Sequence, residues 1–149
     1  MSNPKSNARK AAVQALYQWQ MTGQSLSLIE QYFIDQQFFV DEPNVHKNFF
    51  TTLFHGVPKD LIAIDALLSE FVDREVDAID PVERAILRLG AFELIHCSDT
   101  PYKVIINESI DLAKYFGADG SHRYVNGILD KAAQKQRAEE IQRKQKVKE

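Results

Sequence analysis

At 149 residues, with 44% hydrophobic residues and a net charge of −3, the chain is sized for one domain with a substantial core. No apolar run approaches the length of a membrane span and no signal peptide opens the sequence, so neither a spanning nor an exported protein is expected. The overall acidity argues against a uniformly basic nucleic-acid binder.

The charge is unevenly distributed. Residues 1–20 carry Lys5, Arg9 and Lys10 and no acid, and residues 134–149 carry six bases and three acids. Each end is therefore +3, and the body between them holds −9. A basic arm can grip phosphate locally, while an acidic body suits a basic partner. Cys97 is the only cysteine, so no internal disulfide can form, which fits a reducing cytoplasm.

The first seven residues are polar and read as a mobile arm. Ala8 to Met21 has strong helix formers and no breaker, with Ala12, Ala15, Leu16 and Trp19 on one face. Lys10, Gln14 and Tyr17 line another face, where Tyr17 fits either a ligand contact or a boundary residue with a wet hydroxyl. Thr22-Gly23 ends that helix, and Ser25 or Ser27 can cap a short second one. Phe38, Phe39 and Val40 form an apolar knot before Asp41-Glu42-Pro43. A long helical pattern runs from Asn44 to about Val72, with a break expected at Gly56-Val57-Pro58.

Asp80-Pro81-Val82-Glu83 is a helix start: Asp80 caps, Pro81 fits the first turn and Glu83 can complete a capping box. The helix it opens, to about His96, is apolar on nearly every side and should be the buried hub. Glu83 and Arg84 are its expected exposed positions.

Pro101 to Lys131 reads as helix, corner, helix. Gly117 is placed where a left-handed residue would end the first helix, and Asp119 or Ser121 can cap the second. The second helix buries Val125, Ile128, Leu129 and Ala132. Lys114, Phe116, His122, Arg123, Tyr124 and Asn126 thus gather at the corner. Aromatic faces, a guanidinium and an amide beside free N–H groups suit a single-stranded nucleic acid. A helical hairpin with ordinary solvated charges and core-edge aromatics accounts for the same residues. Tyr124 is placed at the edge of the buried stripe, its ring face framed by Arg123 and Phe116 for a base.

After Ala133 the chain becomes a charged tail with too little apolar surface to pack alone. The expected build is all-α: one domain over 1–133, with an N-terminal bundle at about 8–72 and a C-terminal bundle at about 81–133, then a tail over 134–149. The four histidines are scattered and show no metal-ligand spacing, and no phosphate loop or nucleophile elbow is present. No enzymatic activity, metal or cofactor is expected from these residues.

Three stretches, Ala8–Gln20, Val82–Leu94 and Pro101–Lys131, together resemble the NusB family of bacterial transcription antitermination factors. The wording closest to the family is "Pro-Tyr-Lys-Val-Ile-Ile-Asn-Glu" and "Ser-His-Arg-Tyr-Val-Asn-Gly-Ile-Leu-Asp-Lys". The resemblance implies two small helical bundles and binding of boxA-type leader RNA together with NusE, the small ribosomal protein. It implies assembly with RNA polymerase, antitermination during ribosomal RNA transcription and a cytoplasmic location.

The family's RNA surface would fall here on Lys5, Arg9, Lys10, Gln14, Tyr17, Phe116, His122, Arg123, Tyr124 and Asn126. Its NusE contact would fall on the acidic body, for which exposure and charge suggest Asp77, Glu83 and Arg84. The sequence departs from the family in its sparser basic arm and in Gly120, where relatives often carry an acid. The alternatives are a helical protein–protein scaffold that never touches RNA, or a stand-alone homologue of the RNA-binding domain of a ribosomal RNA cytosine methyltransferase. The chain ends before a catalytic domain could begin, which favours the stand-alone factor.

Overall fold

The computed structural model describes residues 3–35 and 44–148; the knot at Phe38, Phe39 and Val40 lies outside them. Every regular element among the described residues is helical. In order these are α1 (Pro4–Thr22), α2 (Leu26–Asp35), α3 (Lys47–Lys59), α4 (Leu61–Ser69), a 3-10 turn (Val76–Ala78), α5 (Pro81–His96), α6 (Tyr102–Phe116), α7 (Ser121–Gln136) and α8 (Ala138–Lys148). None is long and apolar enough to cross a membrane.

From Pro4 onward the expected mobile arm is in fact the first turn of α1. Asn3 caps it, its side-chain oxygen accepting from the N–H groups of Lys5 and Ser6, and Pro4 fits the first helical position. Helix formation brings Asn7, Ala8 and Arg9 inside. At the other end the Gly23 N–H donates to the Trp19 carbonyl and closes α1. Ser25 caps α2 through the Leu28 N–H. Pro58 is carried inside α3, and the break falls two residues later at Asp60, whose φ of −113° leaves the helical region.

The hub is α5. Asp80 caps it through the N–H groups of Val82 and Glu83, and every side chain from Ala85 to Leu94 is buried. It touches α1, α3, α4, α6 and α7, and one continuous core runs through the molecule. On one side of that core Phe50 stacks on Phe54 at 5.7 Å.

α1 runs antiparallel along α5. Arg9 reaches Glu93, while Gln20 Nε2 donates to the Pro81 carbonyl. Buried arginines hold α5 at two levels. Near its C-terminus Arg9 forms a forked pair with Glu93, at 2.9 and 2.7 Å, with 3% and 1% of the two residues exposed. In its middle Arg88 forks onto Asp65 and donates to Gln20 Oε1.

The charged tail is bolted down rather than left to fray. Arg137, at the break between α7 and α8, donates to the carbonyls of Glu93, Leu94, Cys97 and Thr100. Those carbonyls cluster at the C-terminal end of α5, which a guanidinium both hydrogen-bonds and complements electrostatically.

Candidate nucleic-acid interface

The sequence-picked face of α1 survives in part. Lys10 and Gln14 are half-buried and Tyr17 is 40% exposed. Gln14 Nε2 donates back to the Lys10 carbonyl. Lys5 is exposed, its ammonium 5.2 Å from the centroid of the Phe49 ring.

Arg9 is a correction. Its guanidinium is inside, forked on Glu93 and 3.6 Å from Glu108, and so is not presented to a phosphate. Burial pushes its pKa down, but the Glu93 hydrogen bonds and the charges of Glu93 and Glu108 more than offset this and hold it above the ordinary value. The basic arm therefore offers Lys5 and Lys10, not three free cations.

The α6–α7 corner is built differently from expectation. Gly117 is extended, with φ −88°, and the left-handed residue is Gly120, φ +83°, which precedes α7. Neither Asp119 nor Ser121 caps α7 with a side chain. Ser121 is buried and spends its hydroxyl on Glu83 Oε2, 2.8 Å away. Gly120 thus matches a backbone conformation that L side chains resist.

Gly117 is required for a different reason. A Cβ there would lie 2.6 Å from Ser121 Oγ and 2.7 Å from the Ala113 carbonyl oxygen. Gly117→Ala is expected to cost about 1–3 kcal/mol through overpacking, read as a lower denaturation midpoint with an unchanged m-value.

Around the corner, Phe116 is packed against the core, His122 is half-buried, and Lys114, Arg123 and Asn126 are exposed. The structure joins the two sequence-picked groups through a residue outside them. Tyr115 is 66% exposed, meets the Phe116 ring edge-on at 4.8 Å and 80°, and has the Lys10 ammonium 4.5 Å from its centroid. Helical spacing held the signal: with Leu112, Ala113 and Phe116 facing in, Tyr115 must face out.

Tyr124 is turned toward the connection between α4 and α5. The guanidinium over its ring is that of Arg74, 5.7 Å from the centroid, not that of Arg123. Its hydroxyl oxygen is shut from water, with the Asp73 carboxylate as its polar neighbour. Burial raises the phenol pKa; Arg74 pulls it down, and Asp73 and Glu83 push it up. The Tyr124 ring is thus already covered on one face and inserted at its tip.

The three partner candidates lie at the N-terminal end of α5. The Asp77 carbonyl accepts from Arg84 Nη1 at 2.7 Å, and its exposed carboxylate lies 3.3 Å from Arg88 Nη2. Glu83 and Arg84 are half-buried, not exposed as expected. Only half of the expected capping box forms: the Glu83 N–H donates to Asp80 Oδ1, but the Glu83 carboxylate accepts from Ser121 at the corner rather than from the Asp80 N–H. Among the described residues no group of three His, Cys, Asp or Glu side chains is placed to hold a metal.

Solved structures of the same build define the class. NusB from T. maritima superposes with a TM-score of 0.77 at 29% identity, covering 91% of this chain and 94% of that one. A crystal structure of the antitermination factors NusB and NusE in complex with dsRNA shares the fold, at TM-score 0.72 and 24% identity, over 85% and 93% of the two chains. The class is therefore that of the all-helical NusB fold.

The NusB family model matches residues 6–134. The transcription antitermination protein NusB of Nitrosococcus oceani is 51% identical over 141 residues, covering 95% of this chain and 93% of its own. Its namesake in Alcanivorax borkumensis is 46% identical, over 92% and 93%. The chain belongs to the NusB family, and with that it is a transcription antitermination factor rather than an enzyme.

Proposed function

We propose that this chain binds single-stranded boxA-type leader RNA together with the ribosomal protein NusE. The assembly joins RNA polymerase in the cytoplasm and favours transcription of ribosomal RNA. The observation that carries the reading is the continuity of Lys10 on α1 with Tyr115 and Phe116 at the corner, a cation and aromatic rings on one surface. Single strands are held by such combinations, the cations on phosphates and the rings on bases. To the same proposed RNA face we assign Lys5, Gln14, Tyr17, His122, Arg123 and Asn126, with Tyr124 at its margin. The proposed NusE contact includes Asp77, with Glu83 and Arg84 beside it. Support comes from family membership and, for the NusE partnership and RNA contact in general, from the solved structure of antitermination factors NusB and NusE in complex with dsRNA.

The experiment is an RNA titration with and without NusE, comparing a boxA-like strand with a scrambled one. Preference for the boxA-like strand, strengthened by NusE, is the expected result. Deleting residues 1–10 is not a clean probe, because it removes buried Asn7, Ala8 and Arg9. Lys5→Gln and Lys10→Gln leave the core intact. Each is expected to weaken binding to all strands alike and to make the log-affinity versus log-salt slope shallower by about 0.7. Unchanged slopes would remove the arm from the interface.

The burial of Arg9 favours a second reading, a protein–protein scaffold without RNA contact. That reading requires Lys5–Tyr17 and the corner to show the same hydrogen exchange with and without RNA.

A further inference from the structure

We propose that Tyr115 is a base-stacking platform of this chain, with Lys10 and Lys114 supplying cations to the phosphates beside the stacked base. This rests on the RNA reading above and adds to it a residue drawn from neither the corner's sequence pattern nor the family's wording.

Three features of the ring point the same way. It is 66% exposed, so its hydrophobic surface contributes little to the core, whose packing at this point falls to Phe116. Its plane is set by the edge-on contact with Phe116 and by its place in the last turn of α6. A rigid ring loses little conformational entropy when a ligand covers it. Finally, the ring already binds a cation: the Lys10 ammonium lies 4.5 Å from its centroid, and exposed Lys114 is its chain neighbour.

A base and a phosphate are covalently linked, so a platform for single-stranded RNA needs an aromatic face and a cation within one nucleotide's reach. Tyr115 and Lys10 provide that pairing across two helices. From Tyr115 the track continues along α1 through Lys10 and Gln14 to Tyr17, the other exposed phenol of this face.

The test uses the full chain and a fluorescent boxA-like strand over a series of salt concentrations. Tyr115→Ala is expected to weaken binding about 5- to 150-fold, the range of one lost base–aromatic stack. Its salt slope should stay at the parental value, because no phosphate contact is lost. Tyr115→Phe keeps the face and should bind within about 2-fold of the parent on the same stacking argument. Lys10→Gln should show the opposite signature, a shallower slope. Thermal melts of the variants separate folding from binding: a ring that serves only to cover Phe116 would lower the melting temperature of Tyr115→Ala without changing its RNA affinity. Parental affinity in Tyr115→Ala overturns the platform while leaving the RNA reading intact. Failure of the unaltered chain to bind any strand, with or without NusE, overturns the RNA reading and the platform together.

Discussion

Replacing Glu93 with alanine is expected to cost about 3–5 kcal/mol of folding stability, enough to unfold much of the protein at moderate temperature. The reason is what the change leaves behind. Arg9 is 3% exposed, and Glu93 takes two of its guanidinium hydrogen bonds. Glu108, 3.6 Å from Arg9 and itself bonded by Ser6, is too far and too exposed to replace it. A guanidinium stranded in a low-dielectric site loses its hydration without a counter-charge. The double variant Arg9→Met with Glu93→Leu removes both charges and should recover most of the loss, since a buried pair adds little over packed apolar side chains. Urea denaturation of Glu93→Ala and of the double variant checks this. A Glu93→Ala protein within about 1 kcal/mol of the parent would show that water or Glu108 satisfies Arg9 after all.

Arg137→Ala should cost about 3 kcal/mol, judged from several charge-assisted bonds lost together. Its five donors reach four backbone carbonyls and the Glu140 carboxylate, the last at 2.6 Å. The Leu94 and Thr100 carbonyls would then lose their donor, while those of Glu93 and Cys97 keep the backbone N–H groups of Cys97 and Thr100, and α8 would lose its anchor. Arg137→Lys should rescue little, because one ammonium cannot reach carbonyls spread over four residues. Hydrogen exchange of the α8 amides and of the Tyr102 N–H, which Glu140 accepts, reports the anchor directly.

The same contact has a pH signature. Burial pushes the Glu140 carboxyl up, but the Tyr102 N–H and the Arg137 guanidinium hold it below its ordinary value of 4.5. A depressed folded value means that Glu140 contributes its stability fully above about pH 4.5, the unfolded value, and loses it as the pH falls through the lower folded one. The parent should therefore lose α8 protection in acid, and Arg137→Ala should lose less on the same change.

The helices were legible because their signals are local. Asp80-Pro81 starts the hub and the near-continuous apolar run of Ala85–Leu94 buries it, and both can be read without knowing any partner. The buried arginines could not be read that way. Arg9, Arg88 and Arg137 look like surface charges, since their type is rarely buried unless paired. Their partners stand 84, 23 and 43 or so positions away in the chain, where no periodicity reaches. The corner shows the same division. Its helices and its gathering of polar and aromatic side chains were visible, but the left-handed turn fell on Gly120, because Gly117 is taken up by close contact with Ser121. Tyr124 was assigned to a free ring face on spacing alone; Arg74, from a loop with no regular pattern, covers it.

The pairing of α1 with the far half of the chain also constrains the order in which the protein can fold during its own synthesis. Ser6 bonds Glu108, 102 positions later, and Arg9 waits for Glu93, 84 positions later. Closing loops of that length costs entropy before any contact repays it. While only the first half of the chain is outside the ribosome, α1 has a cation destined for the interior and no carboxylate to meet it. The N-terminal helices thus cannot reach their final packing as they emerge. They must stay open, or loosely collapsed, until α5 and α6 have been made. The last arginine of the set, Arg137, then fastens the end of α5 only when almost the whole chain is present. Native packing is therefore expected late in synthesis, and ribosome-bound chains stopped near residue 80 should resist folding however long they are held.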